Sequence, residues 1–184
     1  MKNYLLIIAV FIALVSCKKD KQDDVTNPTN QNEEELITTF KIVFTDAAGI
    51  EPTVEAMFVD LDGPGGNAPT TFDNINLIAN TTYNVQITLL NESVSPVENI
   101  SVEVEEEGVD HLFCFDLTPS LNLTVNLTDL DDNGLPIGLT TQWSTLGSSV
   151  GTTTIRLKHQ PGIKTGQCDV GQTDIELDFQ TIIQ

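Results

Sequence analysis

Basic residues are scarce in this 184-residue chain, which has 8 Lys and Arg against 27 Asp and Glu and a formal net charge of −19 at pH 7. A surface this acidic repels phosphate groups, which argues against nucleic acid and anionic lipid headgroups as partners. The same charge favours solubility in an extracytoplasmic space and attracts cations.

Helical periodicity is also lacking, as are runs rich in Ala, Leu, Glu and Lys. Apolar residues alternate with polar ones instead, which places one side of each strand on a core and the other in water. The alternating sets are Phe40, Ile42 and Phe44; Tyr83, Val85, Ile87 and Leu89; Ile100, Val102 and Val104; Leu121, Leu123, Val125 and Leu127; Ile155 and Leu157; and Ile175, Leu177, Phe179 and Ile183. Residues 36–184 are therefore predicted to form one all-β domain, an antiparallel, immunoglobulin-like β-sandwich of about nine to ten strands.

A convincing catalytic constellation is the third absence. Residues 147–151 match the G-x-S-x-G pattern of serine hydrolases, in which the serine lies on a turn between a strand and a helix. Here a strand-like run follows the motif, so we interpret the segment as a hairpin loop. We expect no enzymatic activity.

The apolar run at the N-terminus, residues 4–15, is short and follows Lys2. A run of about a dozen residues is too short to span ~30 Å of hydrocarbon comfortably, and it fits a secretory signal peptide over residues 1–16. Its end, Leu14-Val15-Ser16-Cys17, resembles the lipobox of bacterial lipoproteins. The resemblance implies cleavage before Cys17, acylation of that cysteine and attachment to a membrane, whereas the alternative is an ordinary signal peptide with a chance cysteine.

Residues 17–35 are polar, with a Lys/Asp-rich stretch directly after Cys17 and three glutamates at the end. Such a segment buries too little apolar surface to offset chain entropy, so we expect a disordered tether. Its Lys/Asp-rich start resembles the surface-export signal of Bacteroidota-type lipoproteins, which implies the outer membrane, at its periplasmic face or at the cell surface. A plain solvated spacer is the alternative.

Two cysteines remain for the domain once Cys17 is assigned to lipid. In an exported protein Cys114 and Cys168 are expected to form a disulfide. His111 precedes Cys114 by three residues and His159 precedes Cys168 by nine. The disulfide would therefore draw the two histidines into one neighbourhood.

Each histidine shares strand parity with the apolar residues of its own strand, so His111 and His159 are predicted to face the core at strand ends. Glu107 and Asp110 lie next to His111 and offer oxygen ligands. Neutral imidazole binds Zn or Cu readily. The four residues are a candidate metal site; the alternative is a pair of hydrogen-bonded structural histidines beside a solvated acidic face.

Asp129, Asp131 and Asn133, followed by Gly134, match the opening of a calcium-binding loop. The position of the usual bidentate Glu is occupied by Thr140, and Asn-Gly between two strands already explains a tight hairpin. Calcium is one interpretation and a plain turn the other.

Residues 77–85, Leu-Ile-Ala-Asn-Thr-Thr-Tyr-Asn-Val, resemble the loop-and-strand signature of fibronectin type III domains. The resemblance implies a tyrosine corner, in which Tyr83 packs over the end of the sandwich and hydrogen-bonds back to the preceding loop. It covers about ten residues in mid-chain, whereas that family carries the signature near the end of the domain.

These observations predict a lipid-anchored, non-catalytic lipoprotein that binds a partner, such as an outer-membrane protein or a glycan, as an accessory of nutrient uptake. The alternative is a cation-binding accessory lipoprotein that uses His111, His159 and nearby acids. No cofactor is expected other than Zn, Cu or Ca at these two sites.

Overall fold

The computed structural model of the chain describes residues 36–184. The predicted signal peptide, the predicted lipidation site Cys17 and the predicted tether lie outside the described residues. The described part is built from ten strands and one short helix: β1 Thr39–Asp46, β2 Val54–Val59, β3 Thr71–Phe72, β4 Ile75–Leu77, β5 Thr82–Leu90, α1 Ile100–Glu106, β6 His111–Leu117, β7 Leu123–Leu127, β8 Thr140–Thr145, β9 Ser149–His159 and β10 Gln172–Ile183.

The strands form two sheets, and the predicted β-sandwich is confirmed. The larger sheet has the order β3-β2-β1-β5-β8-β7 and the smaller one β4-β10-β9-β6. All neighbours are antiparallel except β4, which runs parallel to β10. Aromatic pairs join the two sheets: the ring centroids of Phe40 and Phe179 are 5.6 Å apart, and those of Phe115 and Trp143 are 5.8 Å apart.

The alternating residues fill the space between the sheets. Phe40, Ile42 and Phe44 of β1 are fully buried, and Lys41 between Phe40 and Ile42 is partly exposed on the outer face. Such burial of every second side chain is what a strand with one wet face requires. The core supplies the apolar contact that holds both sheets together.

The strand predicted around Ile100, Val102 and Val104 is wrong, because residues 100–106 form helix α1. Ile100 and Val104 are buried, whereas Val102 is 48% exposed. Residues four apart share a helix face, and those two apart do not. Asn99 begins the helix by accepting a hydrogen bond from the Ser101 N–H at 3.1 Å, which satisfies one of its free amide groups.

Two of the predicted turns also differ in detail. Residues 146–148 join β8 to β9, which belong to different sheets, and β9 begins at Ser149. The G-x-S-x-G segment therefore covers the end of an inter-sheet connection and the start of β9, and it is not a hairpin. β7 and β8 do form a hairpin, but their connection runs from residue 128 to 139 and is not tight.

The tyrosine corner is present. Tyr83 is fully buried, and its hydroxyl oxygen accepts a hydrogen bond from the Ile78 N–H at 3.0 Å. The loop between β4 and β5 is thereby fixed to the start of β5.

Candidate metal centre

His111 and His159 are direct cross-strand neighbours. β6 begins at His111, β9 ends at His159, and the antiparallel register pairs the two residues. Their imidazole rings are stacked, with centroids 4.7 Å apart and planes within 9° of parallel. The structure therefore brings the two predicted histidines together at one end of the smaller sheet.

His111 is buried, with 1% of its surface exposed. Its Nδ1 lies 3.1 Å from the carbonyl oxygen of Glu107. A carbonyl only accepts hydrogen bonds, so Nδ1 carries the proton and donates it to this oxygen. The pKa of His111 is lowered to about 4, mainly by burial and to a smaller extent by the neighbouring His159. At neutral pH the ring is thus uncharged, and its lone pair is on Nε2.

Glu107 completes the group. It caps the C-terminal end of α1, and the turn that follows leads directly into β6 at His111. One ligand atom from each of Glu107, His111 and His159 lies within 4.8 Å of the other two, and no other group of three His, Cys, Asp or Glu among residues 36–184 is this close. Glu107 and His159 are less buried than His111.

The limit of 4.8 Å is wider than the separation of two ligand atoms on one bound ion. Zn–N distances are about 2.0–2.1 Å, which places two ligand nitrogens of one tetrahedral ion ~3.3 Å apart. Closing the group around one ion requires one imidazole to rotate out of the stack, because the in-plane lone pairs of parallel rings do not converge on one point. His159 can make this rotation, since it is only partly buried, while the bond from Nδ1 holds His111 in place.

Asp110, the fourth predicted ligand, hydrogen-bonds to a loop instead. Its backbone carbonyl accepts from the Gln160 N–H at 2.6 Å, and its Oδ1 accepts from the Gly162 N–H at 3.2 Å. Asp110 therefore secures the start of the 160–171 loop, and it does not belong to the group formed by Glu107 and the histidines.

The disulfide predicted between Cys114 and Cys168 is confirmed, with an S–S distance of 2.01 Å and Cα atoms 6.0 Å apart. Cys114 lies on the side of β6 opposite His111 and is buried, because the bridge holds the 160–171 loop against this side of the strand. Gln160 fixes the same loop by donating to the carbonyls of Gln167 and Val170. The candidate site is therefore built on a rigid support.

The predicted calcium ligands occupy the long β7–β8 connection. Asp129 accepts from the N–H groups of Gly138 and Thr140 at 2.7 and 3.0 Å. Asp131 Oδ1 accepts from the N–H groups of Asn133 and Leu135 at 2.8 and 2.9 Å. These contacts are those of a plain turn in which aspartates bind the backbone.

Sequence reasoning missed the ammonium group that lies between these segments. Lys164 Nζ is 2.8 Å from Asp131 Oδ2 and 2.6 Å from the carbonyl oxygen of Gly108. Only one signal was available, a lysine close to the disulfide cysteine in a chain with few lysines. This proximity does not identify the partners of the Lys164 ammonium group, because they depend on how three separate loops meet.

No helix within residues 36–184 is long and apolar enough to cross a membrane. Comparisons with protein-family models, with curated proteins and with solved structures find no match to this chain. The candidate function therefore depends on the site itself.

Proposed function

We propose that this protein binds a transition-metal ion, Zn²⁺ or Cu²⁺, through His111, His159 and Glu107, as a lipid-anchored protein outside the cytoplasm. The observation that carries the proposal is the cross-strand histidine pair with a carboxylate within 4.8 Å. The convergence of these groups favours the cation-binding interpretation over the partner-binding one, for which the described residues offer no comparable geometry.

The donor set determines the class of ion. Two imidazoles and one carboxylate suit Zn²⁺ and Cu²⁺, whereas Ca²⁺ and Mg²⁺ prefer six or more oxygen ligands. The bond from His111 Nδ1 to the Glu107 carbonyl supports a ligand role for His111, because ligating histidines commonly donate their second N–H to a carbonyl that fixes the ring. Three protein ligands leave a fourth position for water or for an exchanging ligand.

The charge of the chain supports the capture of a cation from solution. Its net charge of −19 produces a negative potential that raises the local concentration of cations. Close to the site, burial raises the pKa of Glu103 on α1, and the nearby Glu107, Glu98 and Glu106 carboxylates raise it further. A bound divalent ion would relieve part of this repulsion.

Location is proposed from the sequence. Leu14-Val15-Ser16-Cys17 supports cleavage before Cys17 and lipid attachment there, and the polar segment after it supports an outer-membrane protein. Metabolic labelling with an alkyne fatty acid, comparing the unaltered chain with Cys17→Ser, tests this part separately. A labelled Cys17→Ser chain would contradict it.

Metal binding is tested on the purified full chain after removal of metal with a chelator. Zn²⁺ and Cu²⁺ are titrated by calorimetry, and Cu²⁺ coordination is read from nitrogen hyperfine couplings in electron paramagnetic resonance. We expect one ion per chain and couplings from two imidazoles. His159→Gln should abolish the coupling from one imidazole and weaken binding at least about tenfold. Glu107→Gln should weaken binding by a similar factor.

Glu106→Gln is the matched control, because Glu106 is an exposed glutamate of the same helix that lies outside the group. It removes the same charge and should leave the affinity almost unchanged. The proposal is wrong if neither ion binds, or if binding survives His159→Gln and Glu107→Gln undiminished.

A further inference from the structure

A concavity lies beside the end of β2 and the start of β10, and neither histidine is among its lining residues. It has a volume of about 410 Å³, and Leu36, Phe58, Ile175 and Leu177 supply apolar walls. Asp60, Asp174 and Glu176 bring carboxyl groups to the lining as well. Pockets of this size with mainly apolar walls and a few polar groups are typical of small-molecule sites.

Asp60 is the most buried of these three carboxyl residues. It follows β2 directly, and its backbone N–H donates to the Thr38 carbonyl at 2.8 Å, which fixes its position. Only 8% of the residue is exposed, and its Oδ1 is buried without a hydrogen-bond donor. Burial raises the pKa of Asp60, and the adjacent Asp62 carboxyl raises it further. A buried carboxylate oxygen without a donor is costly, so a cation that reached it would be bound favourably.

The described part of the chain supplies no such cation. Residues 36–184 contain four Lys and Arg, and each already has an acceptor elsewhere. Lys41 pairs with Glu55, Arg156 with Asp116 and Glu176, Lys158 with the Gly171 carbonyl and Thr173, and Lys164 with Asp131.

We propose that this pocket binds an organic ammonium ion with a compact apolar body. The Asp60 carboxylate accepts hydrogen bonds from the ammonium group, and the apolar body packs against Ile175 and Leu177. Phe58 adds an aromatic wall, which attracts a cation placed over its ring. The ring itself is held by an edge contact with Phe72, whose centroid is 5.3 Å away.

The charge requirement and the apolar requirement are separable. An ammonium group alone would remain hydrated, since a single exposed ion pair contributes little. An apolar molecule alone would leave the Asp60 oxygen without a donor in a drier pocket, which opposes binding. Only a ligand that combines both groups satisfies the site.

The test uses 2-phenylethylammonium chloride as the probe and the purified full chain as the protein. Binding is followed by saturation-transfer nuclear magnetic resonance and calorimetry at neutral pH. The neutral analogue 2-phenylethanol has nearly the same shape and lacks the charge. We expect saturable binding of the ammonium probe and at least about tenfold weaker binding of the alcohol.

Asp60→Asn should reduce the affinity for the ammonium probe at least about tenfold and leave the alcohol unaffected. The change is isosteric and removes a buried charge, so the variant should fold, which the thermal unfolding midpoint checks. Asp132→Asn removes one carboxylate outside the pocket and should preserve binding. This control separates a local contact from the general attraction of an acidic protein.

Equal binding of the alcohol and the ammonium probe would overturn the proposal without any variant, as would the absence of ammonium binding. Retention of affinity in Asp60→Asn would overturn it too. The pocket shares no residue with the histidine pair, so failure here leaves the metal proposal intact, and the reverse also holds.

Discussion

Lys164 Nζ lies 2.8 Å from Asp131 Oδ2, and the two side chains are only 2% and 1% exposed. The same ammonium group donates to the Gly108 carbonyl just after α1. One buried cation therefore joins the 160–171 loop, the β7–β8 connection and the turn that leads to His111. Burial opposes ionisation of Asp131, but the hydrogen bonds from Lys164 and from the Leu135 and Asn133 N–H groups outweigh it and lower its pKa.

Replacing Lys164 with methionine should destabilise the domain by about 3–5 kcal/mol, because Asp131 is left as an uncompensated buried charge. Urea denaturation of the full chain measures the free energy of unfolding. The double variant Lys164→Met/Asp131→Asn should lose less than the sum of the two single losses, since it leaves no unpaired charge.

Lys41→Met is the matched control for this prediction. Lys41 also lies 2.7 Å from a carboxylate, that of Glu55, but its side chain is 36% exposed. A surface pair of this kind contributes about 0–1 kcal/mol. Similar losses for Lys41→Met and Lys164→Met would contradict the role assigned to the buried pair.

The sheets were predictable from sequence because period-two alternation reports directly on burial. β1 and β5 show it best, since the residues predicted to face the core are those the structure buries. Helix α1 was not predictable in the same way. Ile100, Val102 and Val104 fit alternation, and the helical pairing of Ile100 with Val104 is too short a pattern to outweigh it.

The candidate site was partly predictable for a related reason. Strand parity and the cysteine spacing place His111 and His159 on one side and near each other, and the register pairs them. Choosing between Glu107 and Asp110 required the helix end, because the turn after α1 directs Glu107 to the histidines and Asp110 to the 160–171 loop. The number of residues between each acid and His111 does not show which of the two lies beside the histidines.

Tyr83→Phe should cost about 1–3 kcal/mol, because the Ile78 N–H loses its acceptor while the ring remains buried. The change removes one oxygen and leaves the ring contacts with Phe44 in place. Thermal and urea unfolding measure the loss, and hydrogen exchange of the Ile78 amide reports on it locally. If the Ile78 amide exchanges as slowly in Tyr83→Phe as in the unaltered protein, the tyrosine corner does not protect this loop.

Removing the disulfide should destabilise the fold by about 4 kcal/mol, the value that the chain-entropy relation gives for a loop of this length. The bridged residues are 54 positions apart. Cys114→Ser/Cys168→Ser in the full chain, compared with the unaltered protein by urea denaturation, measures the effect. Reaction of Cys114 with an alkylating probe in the absence of reductant would contradict the bridge itself.

Acid should destabilise the metal-free protein through His111. Its pKa is lowered from 6.5 to about 4 in the folded state, so the unfolded chain binds the proton more readily at intermediate pH. Stability is therefore unaffected by this group above pH 6.5 and decreases as the pH falls, with the full loss reached near pH 4. This difference in pKa between the folded and unfolded states lowers the free energy of unfolding by about 2 kcal/mol at pH 5.

Urea denaturation at pH 7 and pH 5, with a chelator present, measures this loss. In His111→Gln the difference between the two pH values should shrink by about 2 kcal/mol, whereas His159→Gln leaves the buried His111 ring in place and should retain most of the difference. The His111 variant has its own cost at pH 7, so the comparison is made between pH values within each protein. If His111→Gln keeps the whole pH dependence, the buried neutral imidazole is not its source.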